Sequence, residues 1–243
     1  MECWHGQGLA IQDYFAGDKS AKITIHSSEG DCEEIEVSIF FREFPYIPLI
    51  EKAALDLCYG TIIDIGAGAG CHALELQNRG LPTTAIDIVP EAVEVMRKRG
   101  IRDARLADFR SLKNEAYDTV LLLMNGIGIV GDLDGLNEFL RDLGTLVNTG
   151  GQVVFDSIDL REENPAANQN TSKINNHSSS ENKSGRYFGE IEYSIEYKGV
   201  KYPPFRWLFV DAETINKMAQ RHKWKFEKVM DYENGRYLGR LYR

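Results

Sequence analysis

The chain has 243 residues, 43% of them hydrophobic, which suffices for one full α/β core with elaborations rather than two independent domains. Its net charge of -9, from 37 acidic against 28 basic side chains, and the lack of a long basic run argue against a nucleic-acid partner, because phosphate backbones select concentrated positive charge. No apolar run approaches the roughly 20 residues of a membrane span; the four cysteines (Cys3, Cys32, Cys58, Cys71) show no Cys-x-x-Cys spacing and no cationic leader opens the chain, so a reduced, cytoplasmic setting is expected.

Residues 1–20 are mixed, with the aromatic pair Tyr14-Phe15 beside an Ala16-Gly17 turn signal. Two β-rich runs, 22–27 and 34–41, flank Glu29-Gly30-Asp31 and predict a small N-terminal β-hairpin. From residue 47, Ile47, Ile50, Ala53, Ala54 and Leu57 recur at helical spacing, with Pro48 in the first turn and Gly60 closing. The most informative stretch follows: Ile62-Ile63-Asp64-Ile65 reads as a buried strand, and Gly66-Ala67-Gly68-Ala69-Gly70 as a loop whose backbone can approach a ligand closely. Residues 71–79 look helical, Gly80 stops them, and 83–88 form a second apolar strand carrying Asp87, which follows Gly70 by 17 positions. Strand, glycine turn, helix and acid-tipped strand make a βαβ nucleotide-binding unit, in which the acid accepts hydrogen bonds from ribose hydroxyls.

Pro90 then opens a helix to Arg99, whose Arg97-Lys98-Arg99 cluster reads as a favourable contact with the helix macrodipole, and 104–107 make a third strand ending in Asp108. The nearly all-apolar run 117–124 predicts a central parallel strand buried on both faces, ending at Asn125-Gly126-Ile127-Gly128. Leu136, Phe139, Leu140 and Leu143 mark a helix over 133–146, and 152–155 a fifth strand tipped by Asp156. Composition shifts to Asn, Ser, Lys and Glu over 161–185, which predicts a disordered loop or a lid. Beyond it, 187–197 reads as a strand, 203–209 as a turn into another, Asp211 as the cap of a helix to about 222, and 225–231 with 236–242 as a terminal hairpin joined by Asn234-Gly235.

The spacing Asp-x-Gly-x-Gly-x-Gly over 64–70 departs from the dinucleotide pattern Gly-x-Gly-x-x-Gly, whose third glycine would fall on Cys71. It resembles motif I of the class I S-adenosylmethionine (SAM) dependent methyltransferases, and the resemblance covers about 46–160 and 211–243. An acid at the strand end suits SAM, which carries a sulfonium and an amino group and no pyrophosphate. The run 122–128, with Asp156-Ser157-Ile158-Asp159, is similar to a bacterial subgroup of that family. The resemblance implies an α/β fold: a Rossmann-like, seven-stranded, mostly parallel sheet with helices on both faces, its seventh, antiparallel strand coming from the terminal hairpin. To this are added the small N-terminal hairpin and an inserted lid and β segment after strand five. One domain is expected, divided into an accessory segment 1–45, a SAM-binding core 46–160, a lid with inserted strands 161–210 and a C-terminal helix and hairpin 211–243.

For the site, the resemblance implies SAM as cofactor and S-adenosylhomocysteine as product. Gly66, Ala67, Gly68 and Gly70 would lie under the methionine part, with Asp64 near its amino group. Asp87, with Ile88 after it, would hold the ribose. Asp108 would meet the adenine amino group, the Phe109 N–H a ring nitrogen, and the backbone around Asn125 would lie near the methyl donor. Relatives that methylate adenine amines or glutamine amides carry Pro-Pro and an aromatic after the Asn or Asp of strand four; Asn-Gly-Ile-Gly here argues against those acceptors. The acidic balance and the accessory segments point to a small-molecule acceptor, with no nucleic-acid or membrane partner.

Methyl transfer is an in-line displacement at an activated carbon, so alignment is the main requirement and a general base is optional. Catalytic candidates are Asn125, Asp156 and Tyr14; substrate candidates are Tyr14, Asp156 and Asp159. For the two aspartates loop capping competes with a substrate role, and for Tyr14 ordinary packing is the favoured reading. His72 reads as a surface residue, and no His, Cys or acid cluster has metal-ligand spacing. Two alternatives use the same elements: an NAD-dependent oxidoreductase, which needs another glycine spacing, and a non-catalytic SAM-binding protein.

Overall fold

The computed structural model describes residues 2–112, 115–162 and 185–243. The chain opens with helix α1 (His5–Ala16), hairpin strands β1 (Lys22–Ser27) and β2 (Cys32–Glu36), and helix α2 (Leu49–Leu57). Then come β3 (Ile62–Ile65), α3 (Cys71–Asn78), β4 (Thr83–Asp87), α4 (Pro90–Lys98), β5 (Asp103–Leu106), β6 (Tyr117–Leu122), α5 (Leu133–Leu146) and β7 (Val147–Ile158). Strands β8 (Glu190–Tyr197), β9 (Val200–Lys201) and β10 (Phe205–Leu208) precede α6 (Ala212–Arg221) and the terminal pair β11 (Lys225–Asp231) and β12 (Arg236–Tyr242).

Seven strands form one sheet in the order β11-β12-β7-β6-β3-β4-β5. The five inner-to-edge strands β7, β6, β3, β4 and β5 pair in parallel, while β12 runs antiparallel to both β7 and β11. Side chains alternate across this sheet as the pleat requires. Ile63, Val120, Leu122, Val153 and Phe155 face α5 and α6, where they meet Leu136, Phe139, Leu140 and Ile215. Ile62, Leu121 and Val154 face the other way and pack with Ile50, Ala54 and Leu55 of α2 and Leu76 of α3. Both long helices on the first face start at an aspartate cap: Asp132 accepts the Gly135 N–H at 2.8 Å, and Asp211 accepts those of Glu213 and Thr214 at 3.0 Å each.

A second sheet, ordered β10-β8-β1-β2 with β9 paired to β8, is antiparallel throughout. It joins the N-terminal hairpin to the strands inserted after β7, for example Thr24 with Glu196 and Ile25 with Ile195. Hairpin and insertion, which read as separate accessories, are therefore one cap.

Several boundaries differ from the sequence reading. Residues 5–16, which carry no helix signal, form α1, although Gly6 and Gly8 are poor helix formers. Tertiary contact compensates: an added Cβ would lie 2.5 Å from the Tyr202 ring at Gly6 and 2.4 Å from Val89 Cγ1 at Gly8, so only glycine lets α1 settle this close to the cap and α4. The second hairpin strand ends at Glu36 rather than 41, because Val37–Phe41 turns into a 3-10 helix with Val37 buried. The fifth core strand runs over twelve residues, beyond 152–155 in both directions, and β8 starts at Glu190 rather than 187. The lid expected over 161–185 lies almost wholly outside the described residues.

Candidate functional site

The loop after β3 leaves the carboxyl edge of the parallel strands, where open α/β sheets bind ligands. Gly66 and Gly68 have φ of 72° and 57°, a region costly for any other residue type except Asn or Asp. A Cβ on Gly66 would meet nothing within 4 Å, so this glycine borders open space, whereas one on Gly70 would lie 2.1 Å from Ile101 Cδ1. Gly70 thus serves the packing of α3 against the core, and the part of the motif that borders open space in a cleft is 66–68. Asp87, at the tip of β4, fastens the loop: its Oδ2 accepts the Gly68 N–H and its Oδ1 the Val89 N–H, both at 2.9 Å. Burial pushes the Asp87 carboxyl up to about 6, against the opposing pull of the Val89, Gly68 and Ile88 N–H groups.

Asp64 follows Ile62 on the face of β3 that looks toward α2 and α3. It is 2% exposed, and its Oδ2 has no hydrogen-bond partner among the described residues. Burial pushes its carboxyl up to about 6, while the positive charge of His72 and the Ala73 N–H act in the opposite sense. An orphaned buried carboxylate oxygen is expensive unless a ligand supplies the missing donor. His72, read from the sequence as a surface residue, is 5% exposed, because the first turn of α3 points it back under the loop. Its Nε2 lies 2.7 Å from Glu51 Oε2, and Arg42 donates to both oxygens of Glu51 at 3.0 and 2.9 Å. Burial by itself lowers the His72 pKa, but Cys71, the Glu51 carboxylate and Asp64 outweigh it and hold the imidazole well above 6.5. His72 is therefore a buried cation that belongs to an ion-pair chain, and it has no lone pair to act as a base at neutral pH.

At the tip of β6, Met124 and Asn125 both sit at positive φ, 61° and 58°. Two consecutive non-glycine residues in the left-handed region store strain that the surroundings must hold in place. Asp156 does so: fully buried, it accepts the Asn125 N–H at 2.7 Å through Oδ1 and an Arg236 N–H at 2.8 Å through Oδ2. The Asn125 side chain, 7% exposed, finds no partner for Oδ1 or Nδ2 among the described residues.

These groups border one cleft. A cavity of about 330 Å³ is floored by Asp64 to Gly68, His72 and Leu123 to Gly126, and roofed by Trp4, Gln7, Phe40 and the inner face of the cap. A second lobe of about 90 Å³ continues past Asp87, Ile88, Val89 and Phe109, sharing Gly66, Trp4 and Trp207 with the first. Asp108 sits beside this lobe on an adjoining groove, where its Oδ1 also caps the Arg110 N–H at 2.9 Å. Gly128 makes room for the roof: a Cβ there would lie 2.2 Å from Trp207 Nε1.

Among the sequence candidates, Asp64, Gly66, Ala67, Gly68 and Asn125 line the large lobe and Asp87, Ile88 and Phe109 the small one. Asp156 lies behind Asn125 with both oxygens engaged, and Asp159 is held by Arg161 at 2.8–2.9 Å. Tyr14 borders neither lobe; it packs on Phe41 with ring centroids 4.6 Å apart, under Lys19. Trp4, Gln7 and Trp207 were not singled out as site residues from the sequence, and His72 was read as a surface residue. Period-2 alternation in 205–208 was the one available signal, placing Phe205 and Trp207 on one face, but nothing local says what that face covers. Among the described residues no group of His, Cys and acids could hold a metal ion.

Comparison with known proteins agrees with this geometry. A family model described as a methyltransferase domain matches residues 63–155. A SAM-dependent methyltransferase from Bacteroides fragilis, solved with S-adenosylhomocysteine, is 36% identical, covers 99% of this chain and 95% of that one, and superimposes with a TM-score of 0.85. The CcbJ methyltransferase from Streptomyces caelestis, 14% identical over 81% of this chain and 90% of that one with a TM-score of 0.59, shares the fold. A ubiquinone biosynthesis O-methyltransferase from Xanthomonas oryzae pv. oryzae is 36% identical over 59 residues, 24% of this chain and only 25% of that protein's length.

Proposed function

This chain belongs to the S-adenosylmethionine-dependent methyltransferases, and from that membership we propose that it transfers the methyl group of SAM to a small molecule held between the parallel sheet and the cap. The observation that carries the reading is the pairing, in one cavity, of an unpartnered Asp64 oxygen with an unpartnered Asn125 carboxamide. Each needs a ligand partner, and SAM fits the first.

In this reading the Asp64 oxygen accepts from the α-amino group, Gly66 to Gly68 pass beneath the methionine chain, and Gly70 contributes through helix packing. Asp87 accepts from the ribose hydroxyls with the lone pairs left over from Gly68 and Val89. Ile88 and Phe109 flank the adenine, and Asp108 stands near its amino group. When bound, SAM supplies a methyl on a sulfonium; the acceptor lone pair forms the new bond to carbon while the C–S electron pair leaves with sulfur as S-adenosylhomocysteine. The protein's part is alignment. Asn125 presents one donor and one acceptor at the methyl end, its strained turn held by Asp156 and Arg236, and the aromatic cap keeps water out. Asp156 is a positioning residue here, and Tyr14 and Asp159 support the cap and the strand end. A pyrophosphate would face the Asp64 carboxylate directly, which disfavours NAD. We place the protein in the cytoplasm as one catalytic unit; among the described residues no helix is long and apolar enough to cross a membrane.

Titration calorimetry should show binding of SAM and S-adenosylhomocysteine and none of NAD. Methyl-labelled SAM incubated with protein and cell extract should place label in the small-molecule fraction. Label mainly in RNA, DNA or protein would overturn the acceptor class, and NAD binding without SAM binding would overturn the reaction.

A further inference from the structure

The large lobe has a chemical bias that says which small molecules it takes. It is lined by aromatic side chains, Trp4, Phe40, Tyr193, Phe205, Trp207 and Phe209, of which Phe40 reaches over the glycine loop, where a Cβ on Gly68 would lie 3.5 Å from its Cδ1. Trp4 lies 4.0 Å from Phe205 and 5.5 Å from Trp207 between ring centroids, and Phe205 stands at 82° to Trp207, so the three rings form a corner rather than a flat stack. Such a corner offers both faces and edges to a planar guest. Among the described residues no Lys or Arg lines this lobe. Recognition of a phosphate or carboxylate calls for forked or pointed positive charge, and the nearest cation, His72, is already paired with Glu51.

Among the described residues, the cap contributes one carboxylate to this lobe. Glu33 of β2 lies directly across from Ile25 of β1, on the cap face that also carries Ile35, Tyr193 and Phe205, and it lines the lobe while staying exposed to solvent. Glu33 therefore stands at the solvent-exposed side of the lobe, beside its aromatic lining, while the Asn125 carboxamide lines its buried part. A carboxylate beside electron-rich ring faces favours a cation there and opposes an anion.

We propose that the acceptor is a planar aromatic ring bearing an alkylammonium group, the ring seated on the Trp4–Phe205–Trp207 corner and the ammonium at Glu33, while a neutral ring substituent at the buried end beside Asn125 carries the lone pair that takes the methyl, and that Glu33 sets the selectivity against acidic acceptors. This rests on the methyl-transfer reading of the same cleft.

The test uses the full chain saturated with S-adenosylhomocysteine and three probes sharing one ring: 2-(2-naphthyl)ethylamine, 2-naphthol and 2-naphthoate, followed by quenching of tryptophan fluorescence. The amine should bind at least about tenfold more tightly than the naphthoate, with the naphthol between them. Glu33→Gln should bring amine and naphthol to within about twofold of each other, and Glu33→Lys should reverse the order of amine and naphthoate. Neither variant should alter S-adenosylhomocysteine affinity, which also reports that each is folded. Equal binding of amine and naphthoate by the unmodified protein, an order that Glu33→Lys leaves unchanged, or no binding of any probe while S-adenosylhomocysteine binds normally would each overturn the inference. Failure of S-adenosylhomocysteine itself to bind would instead remove the methyl-transfer reading beneath it.

Discussion

S-adenosylhomocysteine binding should be linked to proton release by Asp64. In the free protein burial pushes this carboxyl up to about 6 from the ordinary 3.8, and its Oδ2 has no partner among the described residues. An ammonium placed on that oxygen holds the carboxylate ionised, so its pKa in the complex should return to 3.8 or below. With those values the free protein is about 90% ionised at pH 7 and about 10% at pH 5, which makes affinity fall roughly tenfold over the interval, about 1.4 kcal/mol. Asp87, also pushed up to about 6, can add up to a further tenfold if the ribose hydroxyls stabilise its carboxylate comparably. The ligand's own amino and carboxyl groups do not titrate in this window, and His72, held well above 6.5, stays protonated across pH 5 to 6. Calorimetry at pH 5, 6 and 7, in two buffers of different ionisation enthalpy, measures both the slope and the protons released, about half a proton from Asp64 at pH 6. Asp64→Asn should bind more weakly at pH 7 and keep only the slope that Asp87 supplies. Affinity constant within twofold from pH 5 to 7, or a slope that Asp64→Asn leaves intact, would refute the placement of the ammonium on Asp64.

The same two carboxyls predict an unusual pH dependence of stability without ligand. Because their folded pKa values are raised from 3.8 to about 6, these carboxyls destabilise the fold progressively as pH rises through about 4 to 6, so the thermal midpoint should rise as pH falls from 7 to 5; each contributes about 1.3 kcal/mol over that interval, and Asp64→Asn should flatten the trend in differential scanning fluorimetry. Below about pH 4 the trend should reverse, as carboxylates with depressed pKa, Glu51 and Asp211 among them, take up protons. Gly66→Val should fold with a loss of about 1–3 kcal/mol from the positive φ, yet lose more than tenfold in S-adenosylhomocysteine affinity by calorimetry, because the side chain fills the open space beside the loop. Asp156→Ala strands the Asn125 N–H and unpairs Arg236, and should cost about 2–4 kcal/mol in urea unfolding and lower kcat more than it raises the KM for SAM.

What the sequence by itself determined is the part written in short-range signals. Apolar runs marked β3, β4 and β6 as strands, the last as one buried on both faces, alternate glycines marked a close-approach loop after β3, and Asp64, Asp87 and Asn125 stood near strand ends, so the succession of core elements along the chain was legible. Asn234-Gly235 likewise announced the terminal hairpin. Tertiary structure alone decided the other wall of the cleft. Strands β1 and β8 pair across about 170 positions, as Thr24 does with Glu196, and a strand's backbone groups carry no record of which distant edge will satisfy them. Helix α1 runs against its own propensity because Gly6 and Gly8 gain more from close packing than they lose in conformational entropy. The same holds for function at single residues. His72 looks like a surface histidine, and Asp156 equally like a loop cap or a substrate acid, until Glu51, Arg42, Arg236 and the Asn125 N–H arrive from other elements; once those partners close around them, burial and pairing turn one into a fixed cation and the other into the clamp on a strained turn.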